Sequence, residues 1–245
     1  MIRREVMRTF RVVVQTLMAP VISATLYIFI FGVVIGGTID TIVGKPYITF
    51  VFPGILMLSV INAAFSSSSS SFYFARFTRS VEELLVAPLS YLEIIIGYML
   101  GAITRSIIVA VLIVIVGVLF GAVTLEHPLL FLFYIMAVSG IFSLLGLLVG
   151  LWAKNFEQLS VLNTFLITPL TYLGGIFYSV TMLPSTAAFI THINPFFYFV
   201  DGIRYSMIGV SESNMVVGIT VITGLILVLG GLVFYLFKIG WRIRV

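Results

Sequence analysis

The sequence predicts an all-α polytopic membrane protein with six transmembrane helices, and three observations predict it. Of 245 residues, 61% are hydrophobic and 9% are charged, whereas a soluble domain carries about 25% charged residues to solvate its surface. The apolar residues gather into six segments near 18–39, 49–73, 92–120, 129–151, 159–179 and 215–237. Each is at least as long as the roughly 20 residues that cross a hydrocarbon layer. Arg3, Arg4, Arg8, Arg11, Arg76, Arg79, Lys154, Lys238, Arg242 and Arg244 fall on one side of these segments, and only Lys45 and Arg204 on the other. Cytoplasmic loops collect lysine and arginine, so both termini are expected in the cytoplasm, and six spans agree with that parity.

The elements follow in order. In residues 1–17, Ile2, Val6, Phe10, Val13, Val14 and Leu17 recur at helical spacing while four arginines take other faces. That pattern predicts an interface helix lying among anionic headgroups, with a plain basic flank as the alternative. No small-residue cleavage site follows, so no removable leader is expected. The second segment contains six consecutive serines, Ser66, Ser67, Ser68, Ser69, Ser70 and Ser71. If the span starts near Thr49, they occupy its cytoplasmic end and not a linker. Close helix packing, lining of a pathway and a frayed helix end are the three uses open to them.

The loop at 76–90 reads "RFTRSVEELLVAPLS". Ser80 with Glu83, and Ser90 with Glu93, have capping-box spacing, and Pro88 should stop the short helix between them. A two-turn helix with an apolar ridge is too short to stand alone, so it should pack on a membrane surface or another protein. The third segment contains Arg105 near its middle, where a charge costs roughly 2.5–3.5 kcal/mol on insertion scales. It either meets an anionic headgroup or snorkels to the interface. Gly32/Gly36, Gly97/Gly101 and Gly146/Gly150 have the spacing that lets membrane helices approach closely.

Residues 168–209 begin "TPLTYLGGIFYSVTMLP" and continue through "INPFFYFVDGIRY". Breakers recur every six to ten residues, which predicts short re-entrant helices in the 180–212 region on the outer side, or interfacial ones that differ only in depth. Asp201 and Arg204 are three apart and would share a helical face, as a structural ion pair or as a proton relay. Tyr172, Phe177 and Tyr178 offer an amphipathic aromatic surface, and Asn194 and Pro195 mark the break.

Several classes fall away. There is no cysteine, hence no disulfide frame, thiolate metal site or thiol nucleophile. His127 and His192 are isolated, so no metal is expected. The net charge of +4 is explained by topology and implies no nucleic acid. The phosphate-binding pattern G-x-x-x-x-G-K-[ST] is absent, so the chain is not expected to hydrolyse ATP itself, and no Ser-Lys or Ser-His dyad, aspartate pair or HExxH site is visible for an intramembrane enzyme. An ion-driven secondary transporter would need ionisable residues within the spans, and apart from Arg105 these are nearly lacking.

"RSVEELLVAPLSYLEIIIGY", followed in order by "TPLTYLGGIFYSVTMLP" and "INPFFYFVDGIRY", resembles the ABC-2 family of exporter permeases, in its YadH-like bacterial branch, over essentially the whole chain. The resemblance implies one transmembrane domain over 1–245 in a bacterial inner membrane, moving an amphiphile such as a drug-like molecule, a lipid or a lipid-linked glycan. It implies that the helix from Ser80 to Ala87 is a coupling helix, with Ser80, Val81, Glu82, Glu83, Leu84, Leu85 and Pro88 docking on a separate ATPase. It further implies that Ser179 to Tyr205 closes the outer mouth, and that two copies of this chain work with two ATPase copies, which hold the ATP and Mg. Many relatives have a Gly-Thr pair before the coupling Glu-x-Leu-Leu, where this chain has Arg79-Ser80-Val81.

Overall fold

The computed structural model describes residues 14–39, 41–81 and 90–243. Most of the expected interface helix, and Glu82, Glu83, Leu84, Leu85 and Pro88 of the expected coupling helix, lie outside the described residues.

Among the described residues, five helices are long and apolar enough to cross a membrane: α1 (Thr16–Ile35), α2 (Tyr47–Phe77), α3 (Tyr91–Leu119), α4 (Pro128–Trp152) and α8 (Met215–Lys238). The fifth apolar segment behaves differently. Its helix, α5, runs through Gln158–Leu162, widens to i→i+5 turns over Asn163–Ile167, and ends with Thr168–Tyr172. Fifteen helical residues rise only about 22 Å, short of a roughly 30 Å hydrocarbon layer. Helical geometry stops where Gly174 and Gly175 begin, and Gly175 takes a left-handed φ of 81°.

The 180–212 region does form two short helices, α6 (Ser185–Ile193) and α7 (Pro195–Ile208). The residues dictate the bounds of α7. Asn194 caps it by accepting from the Phe196 amide at 3.1 Å, Pro195 fills the first position, which needs no donor, and Gly209 closes it at φ 69°. The two helices then part company. α7 is buried against α2 and α4, while α6 exposes Phe189, Ile190 and Ile193.

α2 is the axis of the bundle. It is apolar on all sides and buried along nearly its whole length, as expected of a helix with no polar face to turn outward. α1, α3, α4 and α7 pack around it. The serines do not fray its end, because the helix continues to Phe77. Ser67, Ser68, Ser69 and Ser71 are buried, and Ser70 bonds back to the Ser66 carbonyl at 2.6 Å. Across from them lies the Gly146/Gly150 pair of α4. A Cβ on Gly146 would stand 2.7 Å from the Phe65 carbonyl oxygen, and one on Gly150 would stand 3.1 Å from that of Ser69. The run is therefore a slim surface that lets α2 and α4 approach backbone to backbone.

The two ends of the bundle differ. One, the basic end, carries Arg76, Lys154, Lys238 and Arg242. There Arg76 Nη1 donates to the carbonyls of Gly150 (2.5 Å), Leu151 (2.9 Å) and Ala153 (3.3 Å), and Arg242 donates to Trp152 at 3.1 Å. Both arginines thus satisfy the orphan carbonyls at the C-terminus of α4. The Ser90–Glu93 capping box forms at the start of α3, and Val81 is buried with Phe72, Ala75 and Ile94. The opposite end carries a two-residue hairpin joining β1 (Thr41–Ile42) to β2 (Lys45–Pro46). Its central Val43 and Gly44 both have positive φ, as a tight hairpin turn requires. Lys45 reaches Glu126 at 3.4 Å across this end.

Candidate functional site

A cavity of about 410 Å³ opens between α1, α2, α3 and α5. Arg105 is the middle residue of α3 and Asn62 the middle residue of α2, and both line it. It therefore lies midway along both helices. α1 contributes Ser23 and Tyr27, α2 adds Ser59 and Ser66, and α5 brings Asn163, Thr168 and Tyr172. Among the lining residues Arg105 alone carries a charge. The remaining polar groups are hydroxyls and carboxamides, so the wall can hydrogen-bond a ligand without adding a second charge.

The wall continues toward the hairpin end as an aromatic plug. The Tyr27 and Tyr172 hydroxyls lie 2.9 Å apart. Above them Phe31 stacks on Phe177 with ring centroids 4.1 Å apart, and Tyr172 lies 5.8 Å from the same Phe177 ring. Tyr47 holds the plug by donating to the Phe177 carbonyl at 3.2 Å. Tyr178 stands apart, donating to the Leu173 carbonyl at 2.9 Å.

Behind the plug, α7 is locked by charge. Arg204 is fully buried. Its guanidinium donates to the carbonyls of Gly175 and, at 3.4 Å, Phe50. It lies 4.0 Å over the Phe50 ring and pairs with Glu212 at 3.6 Å. Glu212 also accepts from Ser179 Oγ and the Val180 amide. The pair expected on α7 between Asp201 and Arg204 gives way to a longer-range one. Asp201 instead accepts from the Glu212 amide (2.9 Å), the Ser213 amide (3.0 Å), Ser213 Oγ (2.6 Å) and Ser211 Oγ (2.9 Å). A carboxylate meeting four donors in one tight turn holds Glu212 where Arg204 can reach it. Asn194 completes the lock by donating to the Leu170 carbonyl at 2.7 Å, which ties the α6–α7 break to the end of α5.

The structure thus brings together Arg105, Tyr172, Phe177 and Ser66 at the cavity, and Asn194, Pro195, Asp201 and Arg204 in the lock beyond it. Sequence reasoning passed over Tyr27, Asn62, Asn163 and Glu212. Asn62 and Asn163 were visible as lone carboxamides within apolar segments. Glu212 stood in the polar run "SESN", whose compactness marks a capping turn. His127 stacks on Tyr205 at 5.1 Å, and His192 meets Phe197 edge-on, so each ring packs against a single aromatic neighbour.

The family model for the ABC-2 type transporter matches residues 1–208. The chain belongs to the ABC-2 type transporter family. It is similar to the inner membrane transport permease YadH of Escherichia coli K12, with 41% identity over 213 residues, 87% of this chain and 83% of that protein. It is also similar to the nodulation protein J of Rhizobium meliloti strain 1021, with 26% identity over 209 residues, covering 84% of this chain and 79% of the relative. A second nodulation protein J, from Rhizobium leguminosarum bv. viciae, matches at 26% over 222 residues. This ABC-2 permease is therefore a multi-pass inner-membrane transport subunit, and the mid-span cavity with its aromatic plug and charged lock is the candidate transport site.

Proposed function

We propose that the chain is the membrane subunit of an ATP-driven exporter and that it moves an amphiphile through the cavity at Arg105. The observation that carries the reading is the cavity itself: a polar hollow at mid-span, bounded toward the hairpin end by the Tyr27–Phe31–Tyr172–Phe177 plug. With the basic end in the cytoplasm, this is a site closed to the outside. α5 with the 173–180 segment then makes a sixth crossing. The flanking surfaces of α1 (Ile22, Leu26, Phe29) and α5 (Val161, Phe165, Leu166) are apolar and exposed, which supports a second copy of the chain seated beside the cavity. Two such copies would work with two ATPase copies, reached through Ser80 and the Glu82–Leu85 segment that follows it. The substrate class is a drug-like molecule, a lipid or a lipid-linked glycan.

The test is to look for an ABC ATPase encoded beside this chain, then co-expression with it, purification, and ATP hydrolysis in nanodiscs. A complex that hydrolyses ATP, and whose hydrolysis falls at least about fivefold in Glu83→Ala/Leu84→Ala, supports the reading. Hydrolysis that does not depend on this chain, or no association with any ATPase, sinks it.

A further inference from the structure

The neutral polar groups of the cavity wall differ in what they can give and take. Its hydroxyls, those of Ser23, Ser59 and Thr168 among them, can rotate to donate or to accept. A carboxamide oxygen can only accept, and the wall carries two. Asn62 Oδ1 and Asn163 Oδ1 are buried and meet no hydrogen-bond donor among the described residues. The Asn62 amide nitrogen is spent on the Leu58 carbonyl at 2.9 Å, so the oxygen is the end left over. Asparagines within membrane spans commonly hydrogen-bond to a neighbouring helix, and neither of these oxygens does so. Asn163 also opens the wide turns of α5, a helical form found frequently at functional sites. The last torsion of an asparagine is broad, so a modest rotation turns either oxygen toward the hollow. A ligand that brings O–H or N–H groups satisfies these oxygens, while one that brings only ether oxygens or hydrocarbon leaves them desolvated and unpaired.

Resting on the transport reading of this cavity, we propose that Asn62 and Asn163 are its specificity-determining residues, selecting a headgroup that carries several hydroxyl donors over one whose oxygens bear no hydrogen. The donors turn to the two carboxamide oxygens, and the hydrocarbon lies along the exposed apolar surfaces of α1 and α5. The volume of about 410 Å³ falls within the roughly 300–1,000 Å³ of small-molecule sites, room for one headgroup between both asparagines. A polyhydroxylated bilayer lipid lodged in the wall and an exported amphiphile share this chemistry, and the experiment separates them.

Full-length permease is placed in phosphatidylcholine nanodiscs, and its binding of dioctanoyl-glucosylglycerol is compared with that of the tetra-O-methyl ether of the same lipid, which keeps every oxygen and loses the donors. Binding is read above that of empty nanodiscs; neither probe carries a charge, and Arg105 is retained throughout. The free glucosyl probe is expected to bind about tenfold or more tightly, the scale of one or two buried hydrogen bonds. Asn62→Leu and Asn163→Leu each weaken the glucosyl probe about threefold to tenfold and leave the ether unchanged, so the ratio of the two affinities falls. A loss of packing alone would weaken both probes together. Should Asn62→Leu fail to fold, Asn163→Leu carries the test, and Asn163→Gln keeps most of the preference. Equal affinity for the two probes in the wild type, or a ratio unchanged in Asn163→Leu, overturns the proposal. Stimulation of ATP hydrolysis by the glucosyl probe in the reconstituted complex identifies a transported ligand, binding without stimulation identifies a resident lipid, and either result supports the site. Binding is read without the ATPase, so a failed complex would count against the exporter and a failed probe against the headgroup site.

Discussion

Arg204 and Arg105 are both arginines inside a chain that is 9% charged, and the helices that carry them use them in opposite ways. Around Arg204 the protein gathers two carbonyls, an aromatic face and Glu212, with Asp201 fixing the turn that delivers Glu212. Arg105 lines a cavity whose other described polar groups are hydroxyls and carboxamides. The same side chain fastens α7 in one place and colours a cavity in the other. The two differ in surroundings: Arg204 is wholly enclosed by packed groups, whereas Arg105 borders an open cavity.

The sharpest way to break the comparison is Arg204→Met. It leaves Glu212 buried without its cation, and removing one partner of a buried pair costs about 3–5 kcal/mol. The thermal midpoint in nanodiscs should fall clearly, and Arg204→Met/Glu212→Leu should recover part of the loss. A midpoint within error of the wild type would mean the lock holds nothing. Gly146→Leu comes next, because a side chain there must displace the Phe65 carbonyl and the Ser69 backbone. About 1–3 kcal/mol is expected from such overpacking, read as reduced resistance to SDS unfolding. Arg105→Met should lower stability by less than about 1 kcal/mol, since it removes a charge from the middle of a span, where charge is costly to insert. If Arg105→Met destabilised the protein as much as Arg204→Met, the contrast between the enclosed arginine and the cavity-lining one would collapse. The smallest effect belongs to Lys45→Ala: both partners of its ion pair are exposed, and such pairs contribute about 0–1 kcal/mol.

The spans were legible in the sequence because hydropathy is a local property. Five of the six apolar segments became long helices with ends within a few residues of those expected. The remaining one, the fifth in order at 159–179, stopped at Tyr172, because Gly174 and Gly175 break a helix that apolar character alone would continue. The capping pair Ser90–Glu93 and the Asn-Pro start of α7 were also readable, since caps depend on neighbours in the chain. The site was legible only in pieces. Arg105 and Tyr172 stood out singly, but nothing in the chain shows that residues 27, 62, 105 and 172 meet, because that depends on how four helices cross. Arg204 was matched to its nearest acid along the helix, whereas the bundle offered it Glu212 eight residues on. Spacing finds partners on one helix and misses those that a turn brings back.

Arg76 is the next-to-last residue of α2, four residues before Ser80, and its guanidinium grips three carbonyls at the C-terminal end of α4. The end of one span is thus riveted to the end of another. A tug on the segment that follows cannot draw α2 along its own axis and leave α4 behind. The force enters a stiff two-helix beam whose inner seam is the serine run, and any slack must be taken up by the lightly buried α1 and the broken α5, which stand on the far side of the cavity.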